Sequence, residues 1–269
     1  LIGGPMITWL ESDLAANDKE WVIAFWHHPP YSKGSHDSDT DTELVEMRQN
    51  AVEKLESLGV DLVLGGHSHD WERSFLIDGH RGKSASFDPL LYGKDMGDGR
   101  LDGDGAYKKS SPGMAPHEGA VYSVCGSSGK IENGPLDHKA MYIGLLQLGS
   151  LAIDLYRAQL DARFLDENGN VLDHFTMVKG GATPVQARAH NVIAKQSDWR
   201  FDDSGTDLGT AWRATGYDDS GWNNGPSILG YGETYVSTVV SYGGDPNNKY
   251  VTTYFRKSFD LSADPGDVT

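Results

Sequence analysis

Val60-Asp61-Leu62-Val63-Leu64-Gly65-Gly66-His67-Ser68-His69-Asp70-Trp71-Glu72-Arg73-Ser74 sets two histidines two residues apart immediately after a short apolar run. An aliphatic run of this length, bounded by glycine, reads as a buried strand, and functional groups of α/β folds gather beyond the carboxyl ends of such strands. His67 and His69 therefore emerge at a sheet edge. Gly65-Gly66 loosens the backbone there, so the two imidazoles can address two neighbouring points, as a two-metal site requires. For a His-x-His pair taken alone, surface histidines on an ordinary turn are the competing reading. The rest of the chain decides between them.

Upstream, Thr8 to Leu14 carries apolar residues at helical spacing and reads as a short helix. Trp21-Val22-Ile23-Ala24-Phe25-Trp26 is a second apolar run of strand length, and it ends in His27-His28-Pro29-Pro30-Tyr31, where proline forbids further ladder bonding. Residues 32 to 41 are loop by composition, with His36 in their middle. Thr40 followed by Glu43 makes a capping box, and Leu44, Met47, Ala51, Leu55 and Leu58 then recur at helical spacing until Gly59. Strand, loop, helix, strand is a βαβ unit, which predicts parallel strands with their carboxyl ends on one side of the sheet. Such a topology brings His27 and His67 side by side. Strand alternation directs His28 away from them and gives it a structural role. Glu72 and Arg73 are expected to brace the loop as an ion pair.

Downstream, residues 79 to 119 are rich in Gly, Asp, Lys and Ser and read as a solvated rim; the acidic stretch 95 to 104 lacks the alternation and distal Glu of a calcium loop. Val121 to Cys125 reads as a strand. Residues 148–155, 160–165 and 171–178 read as antiparallel strands, the last two joined by the turn Asp166-Glu167-Asn168-Gly169-Asn170. The loop 126–138 is glycine-rich but lacks P-loop spacing. His80, His117, His138 and His174 lie in no motif.

The 269 residues suffice for two domains, with 23 Lys+Arg against 39 Asp+Glu and a net charge of −16. That charge, with no basic stripe, disfavours nucleic acid as a partner. No apolar segment has the length of a bilayer span, so a membrane partner is not expected. Cys125 is the single cysteine and fixes no redox compartment. The composition break at Gly180-Gly181-Ala182-Thr183-Pro184 divides the chain into 1–179, a linker at 180–190, and 191–269, an all-β region by pattern.

His27-His28-Pro29-Pro30-Tyr31 and Gly66-His67-Ser68-His69, with Asp70-Trp71-Glu72-Arg73-Ser74 behind them, resemble the last two metal-binding blocks of the calcineurin-like metallophosphoesterases, closest to the purple acid phosphatase branch. The resemblance covers about residues 5 to 179. It implies an α/β (α+β) fold, the carboxyl-terminal half of a four-layer β-sandwich flanked by helices, and hydrolysis of phosphate esters as an acid phosphatase-type phosphomonoesterase. It implies two divalent or trivalent ions, iron, zinc or manganese, with His27 and His67 on one metal and His69 on the other. His36, nine residues after His27, falls where these enzymes place a histidine that contacts the phosphate and assists the leaving group; Asp37 stands where plant enzymes often have a second histidine. Three further blocks that open such domains do not occur, so the chain is expected to be the carboxyl-terminal part of a longer protein, secreted or periplasmic, and inactive alone.

Residues 191–269, with Trp199, Asp218-Asp219-Ser220-Gly221-Trp222 and Tyr254-Phe255-Arg256-Lys257, resemble part of a galactose-binding-like jelly roll, which makes carbohydrate a second partner beside the phosphate ester. A core-forming set of tryptophans in a spacer is the other reading. Two alternative functions stand beside the phosphomonoesterase: a phosphodiesterase or nucleotidase of the same superfamily, and a catalytically silent carbohydrate-binding or adhesion protein.

Overall fold

The two apolar runs that end in histidine are neighbouring parallel strands. In a computed structural model of the chain, which describes residues 4–185 and 193–259, β1 (Ile23–Phe25) pairs in parallel with β2 (Leu62–Gly65), Ile23 opposite Leu62 and Phe25 opposite Leu64. Beyond the paired residues the ladder runs on, Trp26 N–H donating to Leu64 O at 3.1 Å and Gly66 N–H to His27 O at 2.9 Å. The two chain segments thus stay in register up to the histidines.

The crossover between them is helical, as the spacing predicts. Helix α1 (Pro5–Ala16) precedes β1, and the crossover itself consists of α2 (Thr42–Asn50) and α3 (Val52–Ser57). Leu44, Ala51, Val52 and Leu55 are buried on one face of α2 and α3. The capping box does not form. Asp41 is the N-cap and makes no side-chain bond to the helix amides, while Thr40 Oγ1 lies 3.4 Å from Asp37 O. The reason is that the Asp41 carboxylate is engaged by His36 instead.

β3 (Trp71–Ser74) turns back after the His-x-His segment; β4 (Leu76–Ile77), the one-turn α4 (Pro89–Tyr92) and β5 (Gly93–Asp95) follow, then β6 (Tyr107–Lys109), β7 (Val121–Cys125) and β8 (Met141–Leu145). The first sheet runs β1-β2-β7-β3-β8, parallel from β1 to β7 and antiparallel beyond. β9 (Ser150–Tyr156), β10 (Gln159–Leu165) and β11 (Val171–Lys179) form the expected antiparallel hairpins, and the second sheet runs β6-β11-β10-β9. Gly169 closes the Asp166–Asn170 turn with a φ of 82°, a conformation that costs glycine little.

Two apolar clusters hold these layers. Leu14, Ala51, Val52 and Leu55 of the helices pack with Val63, Tyr122 and Ala140 on one side of the first sheet. On the other side, Leu62 and Val121 meet Leu160, Ala162, Phe175 and Met177 of the second sheet. The result is a helix layer and two facing sheets, a mixed α/β architecture. Between the sheets sits Asp61, fully buried, which accepts from Lys109 Nζ at 2.6 Å, Lys179 Nζ at 2.8 Å and Val22 N–H at 2.9 Å. One carboxylate therefore ties β2 to β6 and β11, a buried charge with both its oxygens satisfied.

The described residues divide into two compact units, 4–185 and 193–259. Part of the expected 180–190 linker lies outside the described residues; of the rest, Gly180 N–H donates to Lys109 O and Val185 N–H to Gln159 Oε1, which keeps 180–185 with the first unit. The second unit carries β12 (Asp198–Asp202), β13 (Asn223–Pro226), β14 (Leu229–Gly230), β15 (Thr238–Val239) and β16 (Tyr254–Arg256). Its main sheet runs β13-β12-β16, antiparallel throughout. Trp212 and Trp222 are half-buried against Tyr254, with ring centroids 5.2 and 6.4 Å away, so these aromatics serve packing.

Candidate metal centre

Pro29 and Pro30 end the first segment and the turn at Gly66 ends the second, so the histidines project from the carboxyl edge of the sheet. Gly65 packs on Pro29, where an added Cβ would lie 2.7 Å from the proline Cβ. The left-handed residue of this turn is His67 itself, with a φ of 63°, and Ser68 N–H donates to Gly66 O at 2.7 Å. A non-glycine residue in that region is held against its own preference, a kind of strain that collects at functional sites. It turns the His67 ring back over the end of β1.

There His67 Nδ1 lies 3.0 Å from His27 Nε2. His28 joins them: its ring centroid is 4.9 Å from that of His27 and 4.6 Å from that of His67, and one nitrogen from each of the three lies within 4.8 Å of the others. The expectation that His28 points elsewhere is corrected here. β1 ends at Phe25, so His27 and His28 sit in a bend where strand alternation no longer applies. Burial and the neighbouring His36, His28 and His27 hold the His67 pKa below its ordinary value, which keeps its imidazole neutral and able to donate a lone pair at neutral pH.

His36 stacks on His67 with ring centroids 3.7 Å apart and places Nδ1 2.9 Å from Asp41 Oδ2. Its backbone N–H donates to Ser68 Oγ at 3.2 Å, and Ser68 Oγ in turn contacts Ser32 Oγ at 2.7 Å. Asp37, beside it, is turned to Lys33, whose Nζ lies 2.8 Å from Asp37 Oδ2. His69 stands apart from the other histidines. Its Nδ1 meets Glu132 Oε2, and its N–H donates to Ser35 Oγ at 3.2 Å.

Under these rings lie buried carboxylates. Glu72 accepts from Ser32 Oγ at 2.5 Å and from Lys33 N–H at 3.1 Å, and burial with the Asp70 charge nearby pushes its pKa up to about 8. Burial raises Asp70 to about 6. The expected Glu72–Arg73 pair is not formed, because adjacent residues of β3 face opposite ways. Arg73 instead points between the sheets, to Asp173, with Nε–Oδ2 2.7 Å and Nη2–Oδ1 2.8 Å; Trp71 Nε1 and Arg100 Nη2 share the same carboxylate. The other unplaced histidines lie elsewhere: His80 and His138 are buried near Tyr31, while His117 and His174 form exposed pairs with Asp78 and Asp102.

The donor set suits a transition metal. Imidazole is the commonest side-chain ligand, and nitrogen atoms 3.0 Å apart can share a cation of zinc or iron size. His27, His67 and His28 could hold one ion. Among the described residues no carboxylate joins that group, and Asp41 and Glu132 are each engaged by a histidine. Sequence reasoning missed Asp41, Glu132 and the placement of His28. The first two are ordinary acidic residues in loops, and no spacing rule connects Glu132 to a histidine 63 positions earlier.

Known proteins resemble this chain over parts of its length. Residues 3–71 match the family model of the calcineurin-like phosphoesterases. Purple acid phosphatase 15 of Arabidopsis thaliana is 39% identical over 70 residues, 24% of this chain and 12% of the relative. Purple acid phosphatase 18 of the same plant is 33% identical over 109 residues, 39% of this chain and 24% of the relative. The matched segments thus span a quarter or less of these relatives' length. A purple acid phosphatase structure from yellow lupin (Lupinus luteus) seeds covers 70% of this chain and 32% of its own at 16% identity, with a TM-score of 0.49. Over these residues the chain resembles the metallophosphoesterases, with purple acid phosphatases among its relatives. Among the described residues no helix is long and apolar enough to cross a membrane.

Proposed function

We propose that this chain contributes the histidine side of a metal-dependent phosphomonoesterase centre. The observation that carries the reading is the convergence of His27 Nε2 and His67 Nδ1 to 3.0 Å at the ends of adjacent parallel strands. In this reading His27 and His67 hold one ion, His69 addresses a second through Nε2, and iron, zinc or manganese are the metals that imidazole suits. Ions held there would act as Lewis acids on the phosphoryl oxygens and would lower the pKa of water.

The side chains do the rest. His36, braced at Nδ1 by Asp41, keeps Nε2 for the substrate; in its doubly protonated form the ring gives the Nε2 proton to the leaving alkoxide as the P–O bond breaks, and is left neutral with its Nδ1–H on Asp41. Ser68 and Ser32, fixed by the buried Glu72, hold the backbone of His36 under the ring of His67. A secreted or periplasmic location goes with this reading, and residues 191–269 are assigned no ligand by it.

The test is turnover of an aryl phosphate monoester by the intact gene product supplied with manganese, zinc or iron. Robust turnover that a His67→Ala variant abolishes supports the reading. A wild type that matches His67→Ala, both without turnover, removes it, and turnover of a bis-aryl phosphate in place of the monoester moves it to the diesterases.

A further inference from the structure

The glycine-rich loop 126–138 is anchored on the centre at several points. Gly126 N–H donates to Asp70 O at 3.1 Å, and Leu136 N–H to Lys33 O at 2.8 Å. Gly134 lies so close to the loop that carries His36 that an added Cβ would stand 1.9 Å from Gly34 O. In the middle, Glu132 grips His69 twice: its N–H donates to His69 O at 3.0 Å, and its Oε2 meets His69 Nδ1. The other oxygen, Oε1, lies 2.6 Å from Lys130 Nζ.

A carboxylate can only accept, so the His69 nitrogen facing Glu132 must carry the proton. The lone pair of the neutral ring is then on Nε2, at the opposite edge. His67 makes the reverse choice and offers Nδ1 to the point it shares with His27. The two histidines of the His-x-His segment therefore present different nitrogens, and for His69 the choice is made by a residue 63 positions away. Carboxylates that orient ligating histidines in this way are a general device of metal sites.

We propose that Glu132 is a positioning residue of the metal centre: it holds His69 in the Nδ1–H tautomer and fixes its ring so that Nε2 is the ligating atom. The inference rests on the metal-site reading for its consequence, but the tautomer itself can be read without metal. No bond is made or broken. One imidazole proton is confined to one nitrogen.

The test combines long-range ¹H–¹⁵N spectra of the imidazoles in the metal-free chain with titration by zinc or cobalt(II). Wild type is expected to show His69 Nδ1 as the protonated, pyrrole-type nitrogen. Glu132→Leu should lose that preference and bind metal about 10- to 100-fold more weakly. Glu132→Gln, whose amide oxygen still accepts, should restore the tautomer and most of the affinity, and Lys130→Ala, which frees the same carboxylate from its other partner, should leave both at wild-type values. Circular dichroism and thermal melts check that each variant is folded. An unchanged His69 tautomer in a folded Glu132→Leu protein overturns the proposal, as does a Nε2–H form in wild type. If wild type shows the expected tautomer contrast but takes up no metal, Glu132 keeps its hold on His69 and it is the phosphoesterase reading that falls.

Discussion

His67 Nδ1 and His27 Nε2 lie 3.0 Å apart although 40 positions separate them in the chain. Three local features produce the contact: the parallel register of β1 and β2, the bend at His27, and the left-handed conformation of His67. Asp41 braces His36 and Glu132 braces His69, so each of these two rings has one nitrogen held by a carboxylate.

The turn that carries His67 to His69 is closed by Gly126. A Cβ on this residue would lie 1.8 Å from Ser68 O, a backbone atom that cannot move aside without moving His67 and His69. Gly126→Ala is therefore expected to destabilise the first unit by about 1–3 kcal/mol and to weaken metal binding as well. Urea unfolding and a zinc titration on the same preparation check both effects.

Asp173 accepts from Arg73, Arg100 and Trp71, and although burial favours its neutral form, these bonds hold its pKa below the usual carboxylate range. Arg73 is fully buried. Asp173→Ala leaves that guanidinium without its partner, which costs about 3–5 kcal/mol in comparable sites. Denaturant unfolding should show a loss of this size, and a double variant that also replaces Arg73 with methionine should recover part of it.

His138 and His80 are nearly inaccessible, and burial lowers their pKa to about 3 and about 4. A depressed folded-state pKa for a histidine means that the unfolded chain binds the proton first, so stability is intact above about pH 6.5 and falls as pH drops toward those values. Glu56 and Glu72, raised to about 7 and about 8, work in the other direction: their contribution is full below about pH 4.5 and fades as pH rises through the folded-state values. Because the two sets oppose each other between these limits, the variant is more telling than the wild-type curve. His138→Asn, which keeps an acceptor for the Ala140 amide, should be less sensitive to acid, retaining at pH 4 on the order of 2–3 kcal/mol that wild type loses relative to pH 7. An acid-unfolding midpoint that does not move in His138→Asn contradicts the assignment.

Much of the fold can be read from residue order, because it is written in local patterns. The apolar runs at 21–26 and 60–64, the helical spacing from Leu44 to Leu55 and the Asp166–Asn170 turn each determine an element, and the rule for parallel crossovers places His27 beside His67. The capping box at Thr40 and the outward direction of His28 did not survive. In both cases a long-range contact or a strand end displaced the local preference: Asp41 is drawn to His36, and the bend after Phe25 frees His28 from alternation. Arg73 lost its neighbour Glu72 to the pleat, which faces one toward Ser32 and the other toward Asp173, and nothing near Arg73 in sequence announces a partner 100 residues on. Glu132 is the same case at the site itself.

Whether His27 and His67 share one metal ion is decided by titrating the metal-free chain with cobalt(II) and following its visible absorption bands. Shared ligation gives saturable binding with the band intensity of nitrogen coordination in wild type, and a loss of affinity of at least about 100-fold in both His27→Ala and His67→Ala, with each variant still folded. Wild-type affinity in a folded His67→Ala protein would contradict it.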